Sequence, residues 1–233
     1  MGRSATPLSR GRLPSSRIPV GMLAALTRLL LDTVAPRRCA ACDEVSNPSI
    51  CSRCVAALNA LPIPAVRRMR NGSAFAGFEF VEPVRAALHR GKYGGDREAL
   101  QELAAITAER LSGPRLFTPD AIVAIPLGPR RRRQRGYNQA AVIAAVIAEA
   151  RDVPVVDTLA RIRDTRPQTA RDEATRRDNV AGAFGWTGSP LGGSYLWLVD
   201  DVLTTGATAG AAAAVLVQAG ASLVDVVAVA AVS

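Results

Sequence analysis

From Ala121 onward, short runs of continuous apolar residues alternate with Ala-rich stretches of helical period. Ala121–Ile125, Val153–Val156, Tyr195–Asp200 and Leu223–Val232 predict strands, and Asn138–Ala150 and Ala207–Ala219 predict helices. The strand runs are apolar throughout rather than alternating, so both faces of each are expected to be covered, as in a parallel sheet between helical layers. The expected fold class is α/β, a parallel sheet flanked by helices. Upstream, Phe75–Val81 predicts a further strand, Pro83–Arg90 a short helix with proline in its first turn, and Asp96–Leu111 a longer helix capped by Asp96. No solenoid period is visible.

The amino-terminal part follows other rules. Residues 1–20 mix Arg, Ser, Pro and Gly without apolar period and are expected to be a disordered tail. Leu23, Leu26, Leu30 and Val34 fall at helical spacing ahead of Pro36, which predicts an amphipathic helix. Its stripe reads as core, with docking to a membrane surface or a partner as the sharper alternative. Four cysteines come next, and Pro62 and Pro64 form a stiff connection out of that segment. The expected organisation is a tail (1–20), a helix plus cysteine module (21–66) and a main domain (71–233).

Composition narrows the functional classes. At 48% apolar residues the chain is too hydrophobic for general disorder. No run approaches the length of a membrane span. The net charge of +9 is almost wholly arginine, since Lys92 is the only lysine. The guanidinium fork matches phosphate oxygens, although an arginine bias also follows from genome composition. All four cysteines lie between Cys39 and Cys54, which argues against disulfide stapling and for a reducing compartment. Met22–Leu31 loosely imitates a secretory leader, but Arg28 interrupts it and no cleavage site follows. The expected location is the cytoplasm, extending to a peripheral place at the inner face of the membrane.

The segment Leu196-Trp-Leu-Val-Asp-Asp-Val-Leu-Thr-Thr-Gly-Ala-Thr208 carries the most chemistry. A buried strand ends in two acids, then a Thr/Gly loop opens an Ala-rich helix. Backbone N–H groups of Thr204, Thr205, Gly206, Ala207 and Thr208 suit a 5′-monophosphate at a helix start, with Gly206 allowing close backbone approach. Asp200 and Asp201 either accept hydrogen bonds from ribose hydroxyls or hold a hard cation. Together they describe a ribose 5-phosphate site. Cys39-x₂-Cys42-x₈-Cys51-x₂-Cys54 pairs four thiols at the spacing of a structural tetrahedral zinc knuckle. A redox reading of the two Cys-x-x-Cys pairs and nucleic-acid contact through Arg37, Arg38, Arg53, Arg67, Arg68 and Arg70 are the alternatives.

The Asp200–Thr208 segment resembles the phosphoribosyl diphosphate signature of type I phosphoribosyltransferases. Arg135-Gly-Tyr-Asn-Gln139, Arg161-Ile-Arg-Asp-Thr-Arg-Pro-Gln168 and Arg177-Asp-Asn-Val-Ala-Gly-Ala-Phe184, with the knuckle in front, resemble the ComF family of competence-associated proteins over about residues 36–232. The resemblance implies a type I phosphoribosyltransferase-like sheet, a Mg²⁺-complexed phosphoribosyl diphosphate or related nucleotide as ligand, and a link to DNA uptake. It places Arg135, Gly136, Asn138 and Lys92 at the ligand and makes residues 161–180 a lid. Arg130–Arg133 read equally as diphosphate contacts or as a solvated basic turn. No general base emerges, and His89 reads as an ordinary, partly exposed histidine. Two functions stay open: a phosphoribosyltransferase, and a non-enzymatic accessory protein that binds single-stranded DNA and senses nucleotides.

Overall fold

The apolar runs pair as expected into one sheet. The computed structural model describes residues 36–113, 116–163 and 182–232. Strands β1 (Arg67–Met69), β2 (Gly72–Glu79), β3 (Ala121–Ala124), β6 (Tyr195–Leu203) and β7 (Leu223–Ala231) lie in the order β1-β2-β7-β6-β3, with β4 (Leu159–Arg161) and β5 (Phe184–Trp186) forming a separate antiparallel pair. The pairs β2–β7, β7–β6 and β6–β3 are parallel, and β1 turns back antiparallel on β2.

Continuous apolar strands are needed because both faces are covered. Trp197 and Val199 of β6 join one cluster with Val227 and Val229 of β7, while Leu196 and Leu198 join a second with Val226 and Ala228. The first face packs against helices α2 (Val84–Tyr93), α3 (Arg97–Arg110) and α5 (Gln139–Arg151), through Leu88, Leu100, Leu103, Ile143 and Ile147. The second takes α6 (Ala207–Gln218), whose buried residues Ala209, Ala212, Ala213 and Leu216 are mostly small. The expected cap of α3 is present, with the Asp96 side chain accepting from the Ala99 N–H at 3.0 Å.

Three segments depart from the sequence expectation. Val153–Val156 meets β3 at a single bridge, Ile122 to Val155, rather than as a ladder. Pro154 has no N–H to donate and offers only its carbonyl to Ile122, which limits pairing at this sheet edge. Arg130–Arg133 are not a turn but part of helix α4 (Pro129–Arg135), started by proline and stopped by Gly136 at φ +76°. The helix buries no residue, so no apolar stripe betrayed it. Arg67–Met69, in the gap between the two expected modules, form the antiparallel edge strand of the sheet.

The cysteine segment packs on the first face with its helix α1 (Ser52–Ala60). Cys39, Ile50, Cys54 and Leu58 share a cluster with Leu100, Leu103 and Phe78, and the compact unit of the chain runs from Arg38 onward. Helix α3 clamps the segment twice. The Glu102 carboxylate accepts from the N–H groups of Ser49 (2.9 Å) and Ile50 (2.7 Å), and the Arg110 guanidinium donates to the carbonyls of Leu58, Asn59 and Leu61. The expected amphipathic helix before Pro36 lies outside the described residues, as does nearly all of the expected lid. Among the described residues no helix is long and apolar enough to cross a membrane.

Candidate functional site

Four parallel strands end on the same side of the sheet, where an open α/β sheet usually binds its ligand. Phe80 follows β2, Val232 follows β7, Asp200 and Asp201 lie in the last half of β6, and Ile125 and Pro126 follow β3. All six line one cavity of about 350 Å³, together with Lys92, Arg131, Arg135, Asn138, Gln139, Arg161, Thr204 and Thr208. Of the expected site residues, the structure thus brings Lys92, Arg135, Asn138, Asp200, Asp201, Thr204 and Thr208 to one cavity. Gly136, Thr205, Gly206 and Ala207 shape the two loops beside it without lining it.

The acid pair is held asymmetrically. Asp200 Oδ1 accepts from the Asp201 N–H at 2.8 Å, and Asp201 Oδ2 pairs with Lys92 Nζ at 3.0 Å in a setting where both side chains are largely buried. The only lysine therefore neutralises the second acid. Its helix turn is fixed from two directions: a Cβ on Gly91 would meet Leu100 Cγ at 2.4 Å, and the Tyr137 hydroxyl donates to the Gly91 carbonyl. Gly91 must be glycine for α2 and α3 to approach this closely.

Burial, with the Asp201 charge beside it, pushes the Asp200 carboxyl up to about 7 from an ordinary 3.8. A folded-state value above the unfolded one gives stability that is present in full below about pH 4 and lost as pH rises through 7. Asp200→Asn is expected to remove this loss, so that the variant exceeds the parent by about 4 kcal/mol at pH 8 and nearly matches it near pH 4. Urea titrations at the two pH values test this, and parallel profiles would show that Asp200 is not the group concerned.

The Thr204–Thr208 loop opens α6 without a side-chain cap or an acid in the first turn, with Gly206 at φ +78° as its N-cap. Apart from the Ala207 N–H, which donates to Thr205 Oγ1 at 3.4 Å, the helix start carries unneutralised N–H dipoles. Strand β1 braces the loop: Arg67 donates to the carbonyls of Thr204 (2.5 Å) and Val232 (2.7 Å), and Met69 Cε would lie 3.4 Å from a Cβ on Gly206.

On the β3 side, Arg131 and Arg135 sit four residues apart on α4 and line the cavity, whereas Arg130, Arg132 and Arg133 are exposed and do not. Arg135 donates to Gln139 Oε1 at 3.0 Å and lies over the Tyr93 ring, and Asn138 Nδ2 donates to the Ile125 carbonyl at 3.0 Å. Asn138 Oδ1 and Gln139 Nε2 are buried without a protein partner. Gln139 is 1% exposed, so its unpaired donor costs free energy unless something in the cavity accepts it. Sequence reasoning quoted Gln139 within its motif but did not place it in the site. Phe80 was missed as well, because a cavity wall built from the residues after strands has no period, whereas Arg161, the first residue of the expected lid, ends β4 and lines the cavity. His89 is exposed and stacks near Tyr93, away from the cavity.

The four cysteines form a separate cluster, with all Sγ atoms within 4.8 Å of one another. Cys42 Sγ and Cys51 Sγ are 3.8 Å apart, about the edge of a tetrahedron with metal–sulfur bonds of about 2.3 Å. The Glu44 N–H pulls the Cys42 thiol down to about 6 against the effect of burial, with neighbouring thiols and Arg53 adding to it, while burial pushes the Cys54 thiol up. All four cysteines are free thiols, and the donor set suits a metal ion such as zinc.

Comparison with known proteins decides the family. The DNA utilization protein YhgH of Salmonella typhi is 31% identical over 156 residues, covering 64% of this chain and 67% of the relative. Competence protein F of Haemophilus influenzae is 30% identical over 136 residues, covering 55% of this chain and 59% of the relative. The chain belongs to the ComF family. Competence protein ComFC of Bacillus subtilis is a more distant ComF relative, 27% identical over 61% of this chain and 57% of the relative. No protein-family profile matches the chain. Among solved structures, the glutamine phosphoribosylpyrophosphate amidotransferase of B. subtilis, complexed with ADP and GMP, is similar at 20% identity and a TM-score of 0.40, covering 57% of this chain and 26% of the enzyme. So loose a superposition adds no weight to the ComF assignment, which rests on sequence.

Proposed function

We propose that this ComF-family chain binds phosphoribosyl diphosphate, or a nucleotide bearing ribose 5-phosphate, at the carboxyl ends of β2, β7, β6 and β3, and that it serves DNA uptake in the cytoplasm. The observation that carries the proposal is the one cavity in which an acid pair, the start of α6, a lysine and three arginines converge. The α6 start would take the 5′-phosphate, Asp200 and Asp201 the ribose hydroxyls, and Lys92, Arg131, Arg135 and Gln139 the diphosphate. Carboxylate oxygens are donors that Mg²⁺ accepts, but Lys92 already neutralises Asp201, so the fit is best for a cation that arrives on the diphosphate of the ligand. Mg²⁺ there would supply charge neutralisation for a departing diphosphate.

If transfer takes place, an acceptor nucleophile forms its bond to C1 of the ribose as the C1–O bond to diphosphate breaks. No protein nucleophile is needed. The arginines and Lys92 would hold the negative charge that grows on the leaving group. Incubation with phosphoribosyl diphosphate, Mg²⁺ and a panel of acceptors should release diphosphate. Saturable binding with no release across a broad panel would leave a ligand-binding protein rather than an enzyme.

The ligand divides between the two loops, which yields a selective test. Arg67→Ala is expected to lower affinity for ribose 5-phosphate about tenfold by freeing the Thr204 carbonyl, while binding of inorganic diphosphate changes less than about twofold. Equal loss for both would reduce Arg67 to a general structural role.

The second reading is an accessory protein that binds single-stranded DNA. It is favoured by the exposure of Arg130, Arg132 and Arg133 beside the cavity and of Arg68 within β1. The arginines around the knuckle support it less, since Arg38 donates to Asp43 and Arg53 to Cys42. Binding of a labelled oligonucleotide at two salt concentrations discriminates: a steep fall with salt supports phosphate contacts, and no binding at low salt removes this reading.

A further inference from the structure

The cysteine cluster and the acid-pair cavity are joined by three consecutive residues of one helix turn. Arg90, on α2, donates from Nη1 to Asp43 Oδ1 at 2.7 Å and to the Cys39 carbonyl at 3.4 Å. Asp43 belongs to the first knuckle turn, where its φ of +65° and its N–H bond to the Cys39 carbonyl set the loop around Cys39 and Cys42. Gly91 is wedged against Leu100 and is held through its carbonyl by Tyr137. Lys92 reaches Asp201. Residues two apart on a helix point about 200° from each other around the axis, so one turn of α2 presents Arg90 to the knuckle and Lys92 to the acids.

The neighbouring helix repeats the link. Leu100, which fixes Gly91, lies on α3 two residues before Glu102, whose carboxylate takes the N–H groups of Ser49 and Ile50 just ahead of Cys51. Cys39, Ile50, Leu88, Leu100 and Leu103 are all buried in one cluster, so a rearranged knuckle loop cannot leave this turn of α2 unaffected.

We infer that the cysteine cluster is a positioning element for Lys92, so that metal held by the four thiols and ligand held at Asp200 and Asp201 raise each other's affinity through the Arg90–Lys92 turn. The inference rests on the reading that this cavity binds phosphoribosyl diphosphate. By linkage, the factor by which ligand tightens metal equals the factor by which metal tightens ligand. The Arg90–Asp43 pair is partly exposed, which keeps the coupling modest.

The test uses the zinc-loaded full chain. Zinc affinity is measured by equilibrium competition with a chromophoric zinc chelator, with and without saturating phosphoribosyl diphosphate, Mg²⁺ being in excess throughout, and ligand affinity is measured separately by calorimetry. The expected result is zinc affinity raised about three- to tenfold by the ligand in the parent chain. In Arg90→Ala, both zinc and ligand should still bind, and the ligand should no longer change the zinc affinity. Asp43→Gly, which suits the left-handed backbone at that position and removes the acceptor for Arg90, is expected to behave alike and serves if the first variant folds poorly. Ligand that binds the parent chain without altering zinc affinity overturns the inference and leaves the proposed function standing. A cross-effect that survives intact in both variants overturns the Arg90 route. Failure of the ligand to bind the zinc-loaded parent chain overturns the proposed function itself, and the inference with it.

Discussion

Arg110→Ala is expected to destabilise the chain by about 2–4 kcal/mol, a larger loss than any other single arginine truncation should produce. Arg110 donates to the carbonyls of Gly77, Leu58, Asn59 and Leu61, at 2.8, 3.2, 3.1 and 2.6 Å, and its guanidinium lies 4.6 Å from the centre of the Phe78 ring. Three of these acceptors are at or just beyond the end of α1, where helix carbonyls have no partner within the helix. Burial already holds the guanidinium below its ordinary pKa, so its cost is offset by those bonds rather than by an acid. Truncation would take the guanidinium donor from all four carbonyls, of which Leu58 keeps the Leu61 N–H, and open the Phe78 face together. Urea denaturation followed by tryptophan fluorescence measures the loss. A decrease below about 0.5 kcal/mol would mean that α1 is held chiefly by its apolar contacts. Arg110→Lys should recover only part of the loss, because one ammonium cannot reach four carbonyls spread around a planar fork.

Asp201→Asn is expected to weaken binding of phosphoribosyl diphosphate by about 10- to 100-fold, the scale of one or two hydrogen bonds to a charged acceptor. The carboxylate is the acceptor proposed for a ribose hydroxyl, and an amide keeps its shape while losing the charge that pairs with Lys92 at 3.0 Å. Inorganic diphosphate, which has no ribose, should bind the variant within about twofold of the parent chain or slightly better, because Lys92 is then free to turn to phosphate. Calorimetric titration with both ligands reads the difference. Equal loss for the two would assign Asp201 to holding Lys92 rather than to the sugar.

Much of the main domain was legible because its signals are local. Apolar runs at Leu196–Val199 and Val224–Ala231, the cap at Asp96 and the Gly206 start of α6 each express a constraint confined to a few neighbouring residues. The acid pair and the Thr/Gly loop were legible for the same reason. What stayed hidden depends on residues distant in sequence. The Lys92–Asp201 pair joins positions more than a hundred residues apart, and the unpaired Gln139 donor follows from the burial of the first residue of α5. The clamps of Glu102 and Arg110 on the cysteine segment likewise join α3 to residues about fifty positions earlier in the chain. Arg67, taken as one of several basic residues near the knuckle, turned out to brace the Thr204 carbonyl.

The most direct test of the central proposal is calorimetric titration of the zinc-loaded chain with phosphoribosyl diphosphate and Mg²⁺. One site per chain with a Kd of about 1–100 µM, displaced by ribose 5-phosphate, is the predicted result. Absence of saturable binding at millimolar ligand would contradict it.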